Sequence, residues 1–238
     1  MDDLKVAPCE RKAALYAVQH WHYSGTLPPG KLVCYGVWES GKFIGAVVFG
    51  RGASNSMLNR YGLTQLEGCE LVRVALTDHI APVSQIVSVS LHRLRVDNPG
   101  LRLVVSFADP AQGHIGGIYK AGNWVYAGKS EQDTAYLAPD GRMLHSRQVS
   151  TNGWRVQFGT ARRMPKASDC KKIALPGKHR YLYPLDRAMR RQVSKLAQPY
   201  PTAETPLCES GIDGDPAAAL VAGAGSTPAT RSTYKPSA

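Results

Sequence analysis

The sequence has little of what would mark a secreted, disulfide-braced or membrane protein. Its five cysteines, Cys9, Cys34, Cys69, Cys170 and Cys208, are odd in number, widely separated and without a CxxC pair. That pattern argues against a disulfide framework and against a structural zinc site. No apolar stretch approaches the roughly 18 residues of a membrane span, the longest being short runs such as IGAVVFG. The opening MDDLKVAPCERK carries charges of both signs and no apolar core of the kind export requires. A soluble protein of a reducing cytoplasm, with no membrane partner, is therefore expected. There is no internal repeat. Acidic residues are also scarce: 18 Asp and Glu stand against 29 Lys and Arg, a net charge of +11. Such an excess favours a polyanionic partner, nucleic acid first.

What is present suits one globular domain with an appendage, since 43% of the 238 residues are hydrophobic and 20% charged. Residues 10–20 have helical spacing, with Ala14, Leu15, Val18 and then Trp21 near one face. The runs LVCYGVW (32–38) and FIGAVVF (43–49), joined by ESGK, read as a β-hairpin. Residues 50–66 show no period and are expected to be a loop. CELVRVAL (69–76) is apolar on both faces except at Arg73, so it is expected centrally in a sheet. Pro82 suits the start of a helix in which Val83, Ile86, Val87, Leu91 and Leu94 share a face, and Asn98-Pro99-Gly100 stops it. LRLVVSF (101–107) follows as a second buried strand, so the unit is a right-handed crossover between parallel strands. A strand at 123–128 and a hairpin about Pro139-Asp140-Gly141 complete an α/β fold with a mixed sheet.

Residues 1–150 are expected to form the catalytic core, 151–197 a basic extension packed on it, and 198–238 a disordered tail rich in Pro, Ala, Gly, Ser and Thr. Between 151 and 200 there are 12 Lys and Arg against Asp169 and Asp186, a local charge of +10. Its clusters mix cations with aromatic and turn residues, and Arg162, Arg163, Lys178, His179 and Arg180 are the expected contacts to DNA phosphates.

Several residues stand out chemically. Arg73 lies among apolar neighbours on its strand and needs a partner or a ligand. Asp109, in SFADP, falls just past the carboxyl end of the next parallel strand, where open α/β sheets bind ligands, and is expected to meet Arg73. A structural ion pair is the competing reading. GHIGGIY (113–119) combines three glycines with Tyr119, whose hydroxyl can exchange a proton, although a tight turn alone would also explain it. Ser84 opens the central helix, where free N–H groups favour an anion or where it simply caps the helix. HWHYSG (20–25) puts His20, His22 and Tyr23 close together, in stacking roles or with His20 and His22 as the start of a metal site that would need further ligands such as Tyr23, Asp109 or His114.

Taken together, HYSGTLPPGKLVCYGVWESGKFIGAVVFGRGAS, CELVRVAL, NPGLRLVVSFADPAQGHIGGIY, AGNWVY and PGKHRYLYPLD resemble the phage Mom proteins over roughly residues 10–192. The resemblance implies a fold similar to the GNAT acyltransferases. It implies conversion of adenine N6 in double-stranded phage DNA to the N6-(carbamoylmethyl) form, which protects that DNA from host restriction, in the host cytoplasm. The positions it carries over are His22, Tyr23, Arg73, Ser84, Asp109 and Tyr119. It allows an iron ion with His22 and Tyr23 among its ligands, and acetyl-CoA or a related acyl donor near Ser84; a homodimer is left open. GNAT enzymes cradle the coenzyme A pyrophosphate in a glycine-containing turn, whereas the corresponding turn here, TDHIAPVS, has none. Direct acyl transfer would also leave a carbonyl rather than a methylene on N6. The rival readings are a non-enzymatic DNA-binding protein on a GNAT scaffold and a conventional acyl-CoA acyltransferase.

Overall fold

Period-two alternation of apolar residues builds β2 (Leu32–Glu39) and β3 (Lys42–Gly50). They are joined at Ser40 and Gly41, both in the left-handed region with φ of 51° and 78°. Two such residues in a row match the twist of a two-residue hairpin. The computed structural model containing them describes residues 3–52, 54, 56–157 and 159–202. Before the hairpin come β1 (Leu4–Pro8) and α1 (Arg11–Trp21); after it come β4 (Gly68–Leu76), α2 (Val83–Asp97), β5 (Leu103–Ala108) and α3 (Gly117–Ala121). The chain continues through β6 (Val125–Lys129), β7 (Asp133–Leu137), β8 (Met143–His145), β9 (Trp154–Gln157), β10 (Thr160–Arg163), β11 (Lys171–Leu175), β12 (His179–Pro184) and α4 (Arg187–Ser194).

The main sheet has seven strands in the order β1-β2-β3-β4-β5-β12-β6, with β4 and β5 parallel and the other neighbours antiparallel. This is the expected mixed α/β sheet. Alternate side chains send its two faces into separate cores. On one face α1 packs Ala14, Ala17 and Val18 against Cys34, Ala46, Val48 and Ala75. The same alternation leads Leu103, Val105 and Leu182 to Met189 and Val193 of α4. On the other face Ile86, Val87, Leu91 and Leu94 of α2 cover Val47, Phe49, Leu71 and Val104.

Three expectations are revised by these placements. Residues 50–66 contain a 3-10 turn, Asn59–Tyr61, that buries Leu58, Tyr61 and Leu63 under α4, so this stretch is partly core. Residues 4–8, read only as a charged N-terminus, form an edge strand on β2. Residues 151–197 contribute β12 to the middle of the main sheet, between β5 and β6, along with the β9–β10 ribbon and β11 of a small β11-β7-β8 sheet. Of the expected tail, Gln198 donates its N–H to the Tyr126 carbonyl and Tyr200 its hydroxyl to the Trp124 carbonyl; residues 203–238 lie outside the described residues. Among the described residues no helix is long and apolar enough to cross a membrane.

The parallel pair matters most for function. β4 and β5 match residues only from Gly68 to Glu70 and from Leu103 to Val105. Beyond that the strands part. β4 also carries a bulge at Val72, where the register against β3 slips between Leu71 and Arg73. A bulge re-aims the side chains that follow it, and here it does so at the mouth of the gap.

Candidate active site

The gap between the parted strands is a cavity of about 540 Å³. Its walls come from five stretches of sequence: Trp21, His22 and Tyr23 at the end of α1; Leu71 to Val74 and Leu76 of β4; His79 and Val83 before and in α2; Phe107, Ala108 and Asp109 at the end of β5; and Gly113 to Tyr119. A volume of this size accommodates a nucleobase with a small second reactant.

Five of the singled-out residues, His22, Tyr23, Arg73, Asp109 and Tyr119, thus line one cavity. Arg73 and Asp109, however, are not an ion pair. Arg73 donates from Nε to the Thr26 carbonyl at 3.2 Å and from Nη1 to the Val72 carbonyl at 2.6 Å. Among the described residues no carboxylate lies within ion-pair distance of it. Two neutral carbonyls anchor the guanidinium while its positive charge stays available to the cavity. Asp109 instead pairs with Lys178 Nζ at 2.8 Å, and its Oδ1 accepts the Ala111 N–H at 3.1 Å. The pairing of β12 with β5 sets His179 opposite Ala108 and so brings Lys178 to Asp109. Nothing in the local sequence of either strand announces that register.

Tyr119 is 7% exposed and stacks on Tyr181, with ring centroids 4.7 Å apart. Its hydroxyl lies 2.8 Å from Ser106 Oγ, which also lies 3.0 Å from the Leu71 carbonyl. Burial pushes the phenol up to about 12, so near neutral pH it is a proton donor. Ser106 has one proton for two neighbours. When Ser106 donates to Leu71, Tyr119 can donate to Ser106 or to a ligand. Ser106 sits inside an apolar run, and sequence reasoning passed over it.

His22 accepts the Ser24 N–H at Nδ1, 3.1 Å away, so its neutral ring carries the proton on Nε2. Burial, with Arg73 and His114 nearby, lowers it to about 4. Tyr23 is 64% exposed, stacks on the His22 ring at 4.4 Å and tilts toward His114 at 6.0 Å. His114, inside the glycine-rich loop and expected only as a further ligand of a metal site, lines the same cavity.

Other expected positions fall elsewhere. Ser84 is half-buried in the first turn of α2, while the neighbouring cavity wall is Val83. His179, expected on a phosphate, is 4% exposed with its Nδ1 3.0 Å from the Tyr126 hydroxyl. The alternation of β12 turns it inward. Arg180 is half-buried, and Arg162 and Arg163 are exposed on the β9–β10 ribbon beside Trp154 and Val156, which are 56% and 72% exposed.

Neither implied cofactor finds a matching set of groups. Iron would need several convergent ligands, yet no three His, Cys, Asp or Glu side chains form a metal-ligating group among the described residues. The hydrogen bond at His22 Nδ1 further places a proton on the nitrogen that would have to bind the ion. In the turn before α2, the N–H groups of Ile80 and Ala81 both donate to the buried Glu39 carboxylate at 2.8 Å, and Pro82 has no N–H. Those amides serve an internal anion, so the turn does not fit as the cradle of an acyl-CoA pyrophosphate.

Parted parallel strands of a mixed α/β sheet thus hold an acid, a phenol and an arginine without a carboxylate around one gap, an arrangement suited to group transfer. The pattern of the Mom protein family matches residues 3–202. The chain belongs to that family, and membership implies modification of phage DNA. The match is wider than the blocks at 10–192, and it takes in β1. No curated protein sequence matches the chain. Similar solved structures include the spermidine/spermine N-acetyltransferase SpeG of Vibrio cholerae, crystallised with manganese ions, at 9% identity and a TM-score of 0.41 over 79% of this chain and 96% of that one. An IAA acetyltransferase of Bacillus cereus has 10% identity and a TM-score of 0.39 over 77% and 100%. A probable GNAT-family acetyltransferase of Chromobacterium violaceum has 10% identity and a TM-score of 0.40 over 76% and 82%. Likenesses this distant say nothing of what the present chain binds or transfers.

Proposed function

We propose that the chain alkylates the N6 amino group of adenine in phage DNA, giving N6-(carbamoylmethyl)adenine, with the adenine flipped out of the duplex into the cavity between β4 and β5. The observation that carries this reading is the meeting of Asp109, Arg73 and Tyr119 in that cavity, with Lys178 of the basic segment paired to the acid. The reading rests on the family's implied DNA substrate together with this geometry. It would protect the modified genome from restriction endonucleases of the host.

The adenine amino group is a poor nucleophile because its lone pair is delocalised into the ring, and in a duplex it is paired and stacked as well. Base flipping removes the second obstacle. Tyr23 at the mouth and Trp21 in the wall supply aromatic faces for the extruded base. Asp109 addresses the first obstacle. Its carboxylate, held by Lys178 and the Ala111 N–H, accepts a hydrogen bond from N6 and then the proton as N6 attacks.

In the balanced reaction N6–H and X–CH2–CO–NH2 give N6–CH2–CO–NH2 and HX. The N–C bond forms, the C–X bond breaks with its electron pair leaving on X, and the N6 proton passes to Asp109. Arg73 faces the negative charge that develops on X, where a positive group without a carboxylate partner acts most strongly. Tyr119 and the Nε2–H of His22 donate to the amide oxygen and hold the methylene in line. Exposed Arg162 and Arg163 on the ribbon, with Arg180 on β12, would bind backbone phosphates without reading sequence.

The test is mass spectrometry of nucleosides from DNA of cells producing the chain. Wild type should yield carbamoylmethyl-adenine, and Asp109→Asn should abolish it while DNA affinity stays within about two-fold. Wild-type DNA without the modified nucleoside, or parallel loss of product and affinity in Asp109→Asn, overturns the assignment.

A further inference from the structure

Among the described residues β9 and β10 pair only with each other. The ribbon is tied at its base, where Ser150 bridges to Lys166 and the Met164 N–H donates to the Gly153 carbonyl at 2.8 Å. Its register sets Trp154 opposite Arg163 and Val156 opposite Ala161, and residues that face each other across an antiparallel pair share a side. The other side carries Arg155, whose Nη2 donates to the carbonyl of buried Val149 at 3.2 Å. That bond turns the Arg155 side to the body and leaves the Trp154 side open. We infer that the open side enters the major groove of DNA and packs on thymine methyl groups, so that A·T pairs at that place strengthen binding. The inference rests on the proposed DNA substrate and adds base contacts to the phosphate contacts of Arg162 and Arg163.

The first ground is the apolar row itself. Trp154 is 56% and Val156 72% exposed, and Ala161 across from Val156 is exposed too. Side chains at i and i+2 line one side of a strand. An apolar row left in water, with an indole in it, marks a contact surface.

Charge selects the occupant. Residues 150–178 hold seven Lys and Arg, at 155, 162, 163, 166, 171, 172 and 178, against Asp169 alone, a net charge of +6. Arg162, Arg163, Lys166, Lys171 and Lys172 are all exposed. A second copy of the chain would set two such segments against each other, whereas a polyanion draws them in.

Shape and chemistry select the groove. Two strands about 4.8 Å apart fit the major groove, about 12 Å wide, and not the minor groove, about 6 Å wide. Most of the base edges displayed there are polar. The thymine C5-methyl is the apolar exception, and it is the group that an indole, a valine and an alanine can cover. The arginines on phosphates then fix depth and orientation, while the apolar row distinguishes thymine from cytosine.

The experiment uses the full chain and fluorescence anisotropy with two labelled duplexes, one A·T-rich and one identical except that deoxyuridine replaces every thymidine, which removes only the methyl groups. Wild type should bind the thymine duplex about four-fold more tightly for each methyl covered. Trp154→Ala and Val156→Thr should each bring the two affinities closer. Arg163→Gln, by contrast, should lower the salt slope by about one and leave their ratio unchanged. Equal affinities in wild type, or a ratio kept in both apolar variants, overturn the inference, and so does the absence of binding to either duplex. A wild-type dimer in sedimentation that Trp154→Ala dissociates assigns the face to a second copy and overturns it as well. Circular dichroism identifies a variant that has failed to fold; Val156→Thr, which keeps strand propensity, then decides. DNA without modified adenine in producing cells sinks the alkylation reading, and the ratio of the two affinities still judges the ribbon.

Discussion

Ser106→Ala is a sharp test of how the floor of the catalytic cavity is built. The hydroxyl is fully buried and has two neighbours, the Leu71 carbonyl at 3.0 Å and the Tyr119 hydroxyl at 2.8 Å. Because it donates one proton and accepts another, its removal strands a carbonyl and a phenol together. Each stranded buried group costs about 1–3 kcal/mol, so the substitution should destabilise the fold by about 2–5 kcal/mol. Tyr119→Phe should cost only about 1 kcal/mol, since Ser106 keeps Leu71 as its acceptor. The double variant leaves one stranded group rather than two. Its cost should therefore fall short of the sum of the single costs by about 2–3 kcal/mol. Urea unfolding followed by tryptophan fluorescence reports this directly, because Trp124 lies 5.0 Å from the Tyr119 ring. Simple additivity of the two single costs would refute the relay.

Other substitutions probe the frame around the site. Lys178→Met should reduce adenine modification by roughly ten-fold through loss of the cation that holds Asp109, while the slope of log affinity against log salt changes by less than about one; a loss confined to DNA binding would contradict it. Gly116→Ala should destabilise by more than about 2 kcal/mol, because φ is +83° there and an added Cβ would overlap the Tyr181 ring; a wild-type urea midpoint would count against the close approach. Glu39 holds the turn before α2, and the Ile80 and Ala81 N–H groups keep its carboxyl below the usual carboxylate range. A lowered folded value means that this stabilisation is present above about pH 4.5 and is lost as pH falls through the folded value. Urea midpoints at pH 7 and pH 3.5 should accordingly converge for wild type and Glu39→Gln at the lower pH, and a constant gap would rule the linkage out.

The central crossover and the hairpin were legible because their signals are local. In 69–76 and 101–107 continuous apolar runs flank a helix with a clean stripe, and only one handedness and one relative direction satisfy that pattern. Asp109 could be found the same way, from its place just past a parallel strand. The residues that escaped are those set by pairing at a distance. Lys178 reads as one more cation in a basic segment, and its bond to Asp109 depends on the register of β12 against β5. His179 reads as a companion to the cations on either side of it, yet strand alternation turns it toward Tyr126. Tyr61 and Leu58 lie in a stretch without period, where a single 3-10 turn buries them beneath α4. β1 is five residues long, contains Lys5 and ends in a proline, so it is a strand only because β2 offers it an edge.

The insertion of β12 between β5 and β6 has a consequence for how the protein is made. β6 touches the main sheet only through a strand that the ribosome produces some fifty residues later, and β5 gains its second neighbour at the same moment. A nascent chain halted before residue 178 therefore has an open edge and no lysine against its acid. Such long-range pairing is slow, because the loop must close before the contacts reward it. Completing the sheet and arming the acid are then one event, and synthesis of nearly the whole domain precedes any reaction with a base.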